Sequence, residues 1–229
     1  MAALDVVRGA ALVAMIAFHF SFDLASFRVV AWDFYRDPFW LHARTAILST
    51  FLLIAGVSLV LAESTPRGRT RFWRHVARIA ACALLVSAGS YAMFPNSFIW
   101  FGVLHAIAVS LVLIRPLAAH PRAALAAGVA AIVAGNVVTS PWFDGRPWGW
   151  VGFATVKPVT EDYVPLFPWT GVMLVGIAAG HALVRTGFRA LAPFARGPRA
   201  LAWLGRHSLA VYMIHQPLLI GLLIVLTRR

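Results

Sequence analysis

The chain has 229 residues, 61% of them hydrophobic, with a mean hydropathy of +0.80 and a formal charge of +12. A soluble domain is about half apolar, so this composition excludes one. The charge does not point to nucleic acid, because the arginines lie in the breaks between apolar runs, where they flank helices at lipid headgroups. The single cysteine, Cys82, excludes an internal disulfide and a thiolate metal cluster.

Crossing a hydrocarbon core of ~30 Å takes ~20 largely apolar residues, and such runs recur along the whole length. They predict an all-α transmembrane bundle of seven spans, at residues 9–27, 39–62, 76–95, 98–117, 123–140, 165–184 and 201–226, forming one membrane-embedded domain over 1–229. The first run carries Arg8, His19 and Asp23 and shows no small-residue cleavage pattern, so it reads as a retained span rather than a signal peptide. Arginines gather after the second span (Arg67, Arg69, Arg71, Arg74), the fourth (Arg115, Arg122) and the sixth (Arg185, Arg189, Arg196, Arg199). The positive-inside rule makes these breaks and the N-terminus cytoplasmic. An odd number of spans then places Arg228 and Arg229 outside, against the rule. One lysine among twenty basic residues, with heavy alanine use, fits a GC-rich bacterial genome and hence a bacterial inner membrane.

The opposite breaks have another character. Val29 to Pro38 holds Trp32, Asp33 and Tyr35; the longest break, Pro141 to Val164, holds Trp142, Trp148 and Trp150. The latter is too aromatic for a disordered linker and is expected to fold back over the outer mouth. Its tryptophans suit either an interfacial aromatic belt or a sugar-stacking platform.

Ionisable groups inside a bilayer are costly unless paired or solvated, so each is a functional candidate. Arg8 and His19 are eleven residues apart, which puts them within about 20° on one helix face, some 16 Å apart along the axis. Arg8 is thus expected near the inner surface and His19 near the midplane. Asp23 comes one turn later, at the spacing where a carboxylate accepts from an imidazole N–H and fixes its tautomer. On one reading Arg8 holds an anionic group arriving from the cytosol and His19 acts as general base. On the other, Arg8 snorkels and His19 hydrogen-bonds a neighbouring helix.

Several motifs occur together: LDVVRG with FHFSFDL, FLLIAGVSL, FGVLHAI from Phe101, DYVPLFPWTGV from Asp162 and GRHSLAVYMIHQP from Gly205. The spacing from Arg8 to His19 resembles the arginine-to-histidine motif of acyltransferase-3 membrane enzymes. Jointly, the motifs resemble bacterial proteins related to the catalytic domain of heparan-α-glucosaminide N-acetyltransferase, over nearly the whole chain. The resemblance implies acetyl or acyl transfer from cytosolic acyl-CoA to an amino or hydroxyl group of a periplasmic or lipid-linked glycan, with no metal and no nucleic acid. It implies that Arg8, helped by Arg206, binds CoA phosphates and that His19, oriented by Asp23, is the base. His105, at a similar depth, is expected within about 10 Å of His19. His42 and Arg44 at the outer end of the second span, and Asp162 and Trp169 at the start of the sixth, are the candidates for the acceptor. In the lysosomal enzyme an asparagine stands in the place of His19, so the catalytic role of His19 rests on the arginine-to-histidine motif.

The main rival is a proton-coupled transporter, whose relays also use intramembrane His, Asp and Arg. No inverted repeat or paired broken spans support it. No two histidines lie three or four residues apart, which counts against a haem or metal site.

Overall fold

The computed structural model describes residues 2–227; Arg228 and Arg229 lie outside the described residues. Among these, all regular structure is helical: α1 (Ala2–Ser26), α2 (Pro38–Glu63), α3 (Pro66–Met93), α4 (Val103–Ile114), α5 (Pro121–Val137), the single turn α6 (Arg146–Gly149), α7 (Leu166–Arg185), α8 (Arg199–Arg206) and α9 (Ser208–Thr227). Five of the described helices, α1, α2, α3, α7 and α9, are long and apolar enough to cross a membrane. The chain is therefore a polytopic α-helical membrane protein.

Each expected span has a helix, but four differ in extent. The first helix begins at Ala2, so His19 falls in the last third of α1 rather than at its middle. The third begins at Pro66, ten residues early, because Thr65 accepts from the Gly68 N–H at 3.0 Å and proline suits the first helical position. The arginines in its first turns form helix readily and keep their charges in water, so hydropathy alone places this start too late. The fourth shortens to twelve residues, since Gly102 opens it after an irregular segment. The seventh is broken at His207 into α8 and α9.

The helices cluster into two compact units, Met1–Phe51 with Phe188–Arg229, and Leu52–Gly187. In the first, α8 runs antiparallel to the start of α1 at backbone contact. A Cβ on Gly9 would lie 1.9 Å from the Leu201 carbonyl oxygen, and one on Gly205 would lie 1.9 Å from that of Asp5. Small residues at such crossings are what helix association in lipid uses.

In the second unit α7 is the centre. Gly171 meets Gly128 of α5, and Gly176 meets Leu53 and Gly56 of α2, each closely enough that a Cβ would fall within 3 Å of a backbone oxygen. On the arginine-rich side Arg115 bonds Glu63 at 2.8 Å and lies over the Phe72 ring at 4.2 Å, so it joins the ends of α2 and α4 to the start of α3. Glu63 also takes Arg69, at 3.5 Å.

The long break 141–164 is ordered. Asp144 accepts from the Thr155 hydroxyl and backbone N–H, both at 2.6 Å, which holds its carboxyl below the usual range. The Thr160 hydroxyl donates to the Phe98 carbonyl, the Glu161 N–H to the Ser97 carbonyl, and the Tyr163 hydroxyl to the Gly149 carbonyl. The break is thereby folded onto the segment that precedes α4.

Candidate functional site

Within the first unit, the α1 face that carries Arg8, His19 and Asp23 lies along α8 and α9. Near the start of α1, Arg8 faces Asp5 at 3.4 Å and the Gly205 carbonyl at 3.5 Å. That carbonyl belongs to the last turn of α8, where unsatisfied oxygens carry partial negative charge and attract a cation. Arg206, next in sequence, is exposed, so the fold brings both expected anion-binding arginines to this end of the α1–α8 contact.

Toward the other end of α1 the polar groups form two pairs. The His19 and His215 rings are 5.1 Å apart at 64°, and Asp23 Oδ1 accepts from Gln216 Nε2 at 2.9 Å. The expected Asp23 to His19 hydrogen bond is not made: the Gln216 amide holds one carboxylate oxygen, and the other has no partner among the described residues. Helix spacing brought the two side chains to one face; the packing of α9 decided which partner each meets.

His215 is 7% exposed, and its tautomer follows from geometry. Nδ1 lies 2.6 Å from the Tyr212 carbonyl, which only accepts, so Nδ1 carries the proton. The other nitrogen, Nε2, therefore presents a lone pair, and it is buried without a partner. The same holds for Asp23 Oδ2 and Gln216 Oε1. Three buried acceptors on the α1–α9 seam thus lack donors, and each such group costs about 1 to 3 kcal/mol. A bound molecule rich in N–H or O–H groups relieves that cost.

The loop after α1 builds an aromatic wall beside this seam. Phe34 is buried, stacks on Trp40 at 4.0 Å and takes Phe18 and Phe22 edge-on. An open cleft of about 270 Å³ lies at the end of α1, lined among others by Phe22, Ser26, Trp32, Asp33 and Tyr35. His42 is exposed and gives its Nδ1 proton to the Pro38 carbonyl at 2.6 Å, while Arg44 is half-buried in the second turn of α2.

In the second unit His105 and Asp162 build one helix start. Asp162 Oδ2 accepts from the Val103 N–H at 2.8 Å, so this carboxylate caps α4, not the sixth span it precedes in sequence. A Cβ at Gly102 would lie 2.3 Å from that oxygen, which is why FGVLHAI has glycine there. His105 Nδ1 accepts from the Gly102 N–H at 3.2 Å, and its Nε2 lies 3.1 Å from the Ser87 hydroxyl, which donates to the Ile99 carbonyl at 2.6 Å. Both ring nitrogens of His105 are thus engaged in holding α3 to α4. Trp169 is half-buried in the first turn of α7. Among the described residues no group of three His, Cys, Asp or Glu side chains is placed to hold a metal ion.

Residues 1–217 match the family described as Heparan-alpha-glucosaminide N-acetyltransferase, catalytic. The chain belongs to this family. Membership in the heparan-alpha-glucosaminide N-acetyltransferase catalytic family, together with the five spanning helices, makes it a transmembrane acetyltransferase. The match ends at Pro217 and so takes in Arg8, His19, Asp23, His215 and Gln216. Neither a curated protein nor a solved structure matches the chain. Sequence reasoning assigned no role to His215 or Gln216; the signal that pointed to them was the HQP at the end of the family-like GRHSLAVYMIHQP.

Proposed function

We propose that this protein, in a bacterial inner membrane with its N-terminus cytoplasmic, transfers an acetyl group from cytosolic acetyl-CoA to an amino or hydroxyl group of an extracytoplasmic glycan. The observation that carries this reading is the seam of His19, His215, Asp23 and Gln216, with its lone pair on His215 Nε2 and two further buried acceptors awaiting donors. Arg8 and Arg206, at the other end of the same contact, suit the phosphates of CoA. The separation of Arg8 from His19 along α1, about 16 Å, is a reach that an extended pantetheine arm can cover.

In this reaction the acceptor N–H or O–H gives its proton to a histidine of the pair, and its heteroatom attacks the thioester carbonyl. The C–S bond breaks, the acetyl group passes to the acceptor, and the CoA sulfur takes up a proton. His215 has the free lone pair for the base role; His19, edge-on beside it, meets the acetyl group or shuttles the proton. Asp23, held by Gln216, keeps one carboxylate oxygen free to accept from the bound acceptor. The cleft at the end of α1 gives a sugar ring Trp32 to stack on and Asp33 to bond. His105 keeps the start of α4 in place.

The test is acetyl-CoA turnover by purified protein, with and without a hexosamine acceptor. Replacing His19 or His215 by alanine is expected to lower kcat by about 10² to 10⁴-fold with the fold intact. Arg8→Ala is expected to raise KM for acetyl-CoA. Wild-type rates in both histidine variants would refute the assignment, and absence of acetyl-CoA binding by folded wild type would refute the activity.

A further inference from the structure

The first four turns of α3 carry Arg67, Arg71, Arg74 and Arg78 at intervals of four, three and four residues. At 100° per residue they fall within about 60° on one face and run about 16 Å along the axis. All four are exposed, and none forms an ion pair among the described residues, whereas the off-stripe Arg69 is the one that meets Glu63. The packed face of α3, through Phe72, Val76, Ile79 and Ala83, points more than a third of a turn away.

Four like charges at such spacing repel one another and oppose the helix that aligns them. The stripe is complete only with anions. The residues beyond Arg78 on the same face identify the kind of anion: the surface there turns apolar at once, through Ala81 to Leu85, which is 64% exposed, and Gly89, where added atoms would meet nothing. A soluble phosphate compound has no use for an apolar strip one turn beyond the charges. A phospholipid does.

We infer that this face of α3 is a binding site for anionic phospholipid, with the headgroup phosphate on the arginine stripe and an acyl chain along Ala81, Leu85 and Gly89. The pattern also fixes the depth of the helix. Arg78 marks the inner edge of the hydrocarbon, and the roughly three turns before it stand in the headgroup layer and the water beyond. Guanidinium groups bind phosphate oxygens through two parallel N–H bonds, a geometry that the ammonium of lysine does not offer.

The experiment is native mass spectrometry of the full-length protein from detergent, titrated separately with phosphatidylglycerol, cardiolipin and phosphatidylcholine. Wild type is expected to keep one anionic lipid at least about tenfold more tightly than phosphatidylcholine, and the variant R67Q/R71Q/R74Q/R78Q to lose that preference. The matching set of lysine substitutions keeps the charge and is expected to retain part of it. Should the quadruple variant not be monodisperse, R74Q and R78Q singly are expected to show graded loss. Neutralising Arg189 and Arg199 instead is expected to leave the preference unchanged. Equal anionic-lipid retention by wild type and the stripe variants overturns the inference, as does displacement of the lipid from wild type by free CoA.

Discussion

Replacing Gly9 by alanine probes the contact that holds the two ends of the chain together. The added Cβ would lie 1.9 Å from the Leu201 carbonyl oxygen and 2.7 Å from its carbon, and these are backbone atoms that cannot rotate away. Ordinary contact begins at about 3.4 Å, so α8 must retreat by about 1.5 Å, and forced repacking of this kind costs about 1 to 3 kcal/mol. The Arg8 to Gly205 bond, already at 3.5 Å, cannot survive that retreat. Thermal unfolding in detergent, monitored by intrinsic fluorescence, is therefore expected to shift down by several degrees in Gly9→Ala. KM for acetyl-CoA is expected to rise in the same variant. Gly205→Ala, whose Cβ meets the Asp5 carbonyl oxygen from the other side, is expected to do the same. Gly89→Ala, in open space inside α3, serves as the control: it is expected not to lower the midpoint, since alanine favours helix over glycine, and to leave KM in place. An unchanged midpoint in Gly9→Ala together with Gly205→Ala would refute the close packing of α1 on α8.

The loops and helix starts lead to three further outcomes. Asp162→Ala removes the cap of α4 and is expected to destabilise the protein by about 1 kcal/mol in thermal or denaturant unfolding; loss of activity at unchanged stability would instead place Asp162 against the acceptor. His105→Ala strands the Gly102 N–H and is expected to cost about 1 to 3 kcal/mol while lowering kcat less than tenfold, as measured by unfolding beside turnover. The Asp144 carboxyl, held below its usual range first by the Thr155 hydroxyl and then by backbone N–H groups, stabilises its loop fully above the unfolded pKa near 4 and loses that effect as pH falls through the folded value. Hydrogen exchange at Thr155 and Val156 is thus expected to stay protected from pH 7 to 5 and to open below 4, and Asp144→Asn to expose it at pH 7.

The apolar runs were legible because a span must satisfy its backbone internally over a fixed thickness, and that demand is written into composition. Helix boundaries were less so where the deciding residues are polar. Arginine kept the first turns of α3 out of the hydropathy signal, and the break at His207 falls in a polar stretch, Gly205 to Ser208, too short to interrupt a run of span length. The stripe of Arg8, His19 and Asp23 was legible as a face, since 100° per residue is a local rule. What that face meets was not, because the pairing of His19 with His215 and of Asp23 with Gln216 joins positions almost two hundred residues apart. Asp162 shows the same limit in another form. Proximity in sequence suggested the helix just after it, whereas the fold of the long loop delivered it to the start of α4, some sixty residues earlier.

The glycine seams of α7 bear on how such a protein assembles where lipid surrounds it. Two helices that meet backbone to backbone have almost no side-chain rotamers to freeze at the contact, so their association forfeits little entropy. In water that saving is minor beside the expulsion of solvent from apolar surface. Between acyl chains no such expulsion operates, and the saving becomes a leading reason for α2, α5 and α7 to stay together.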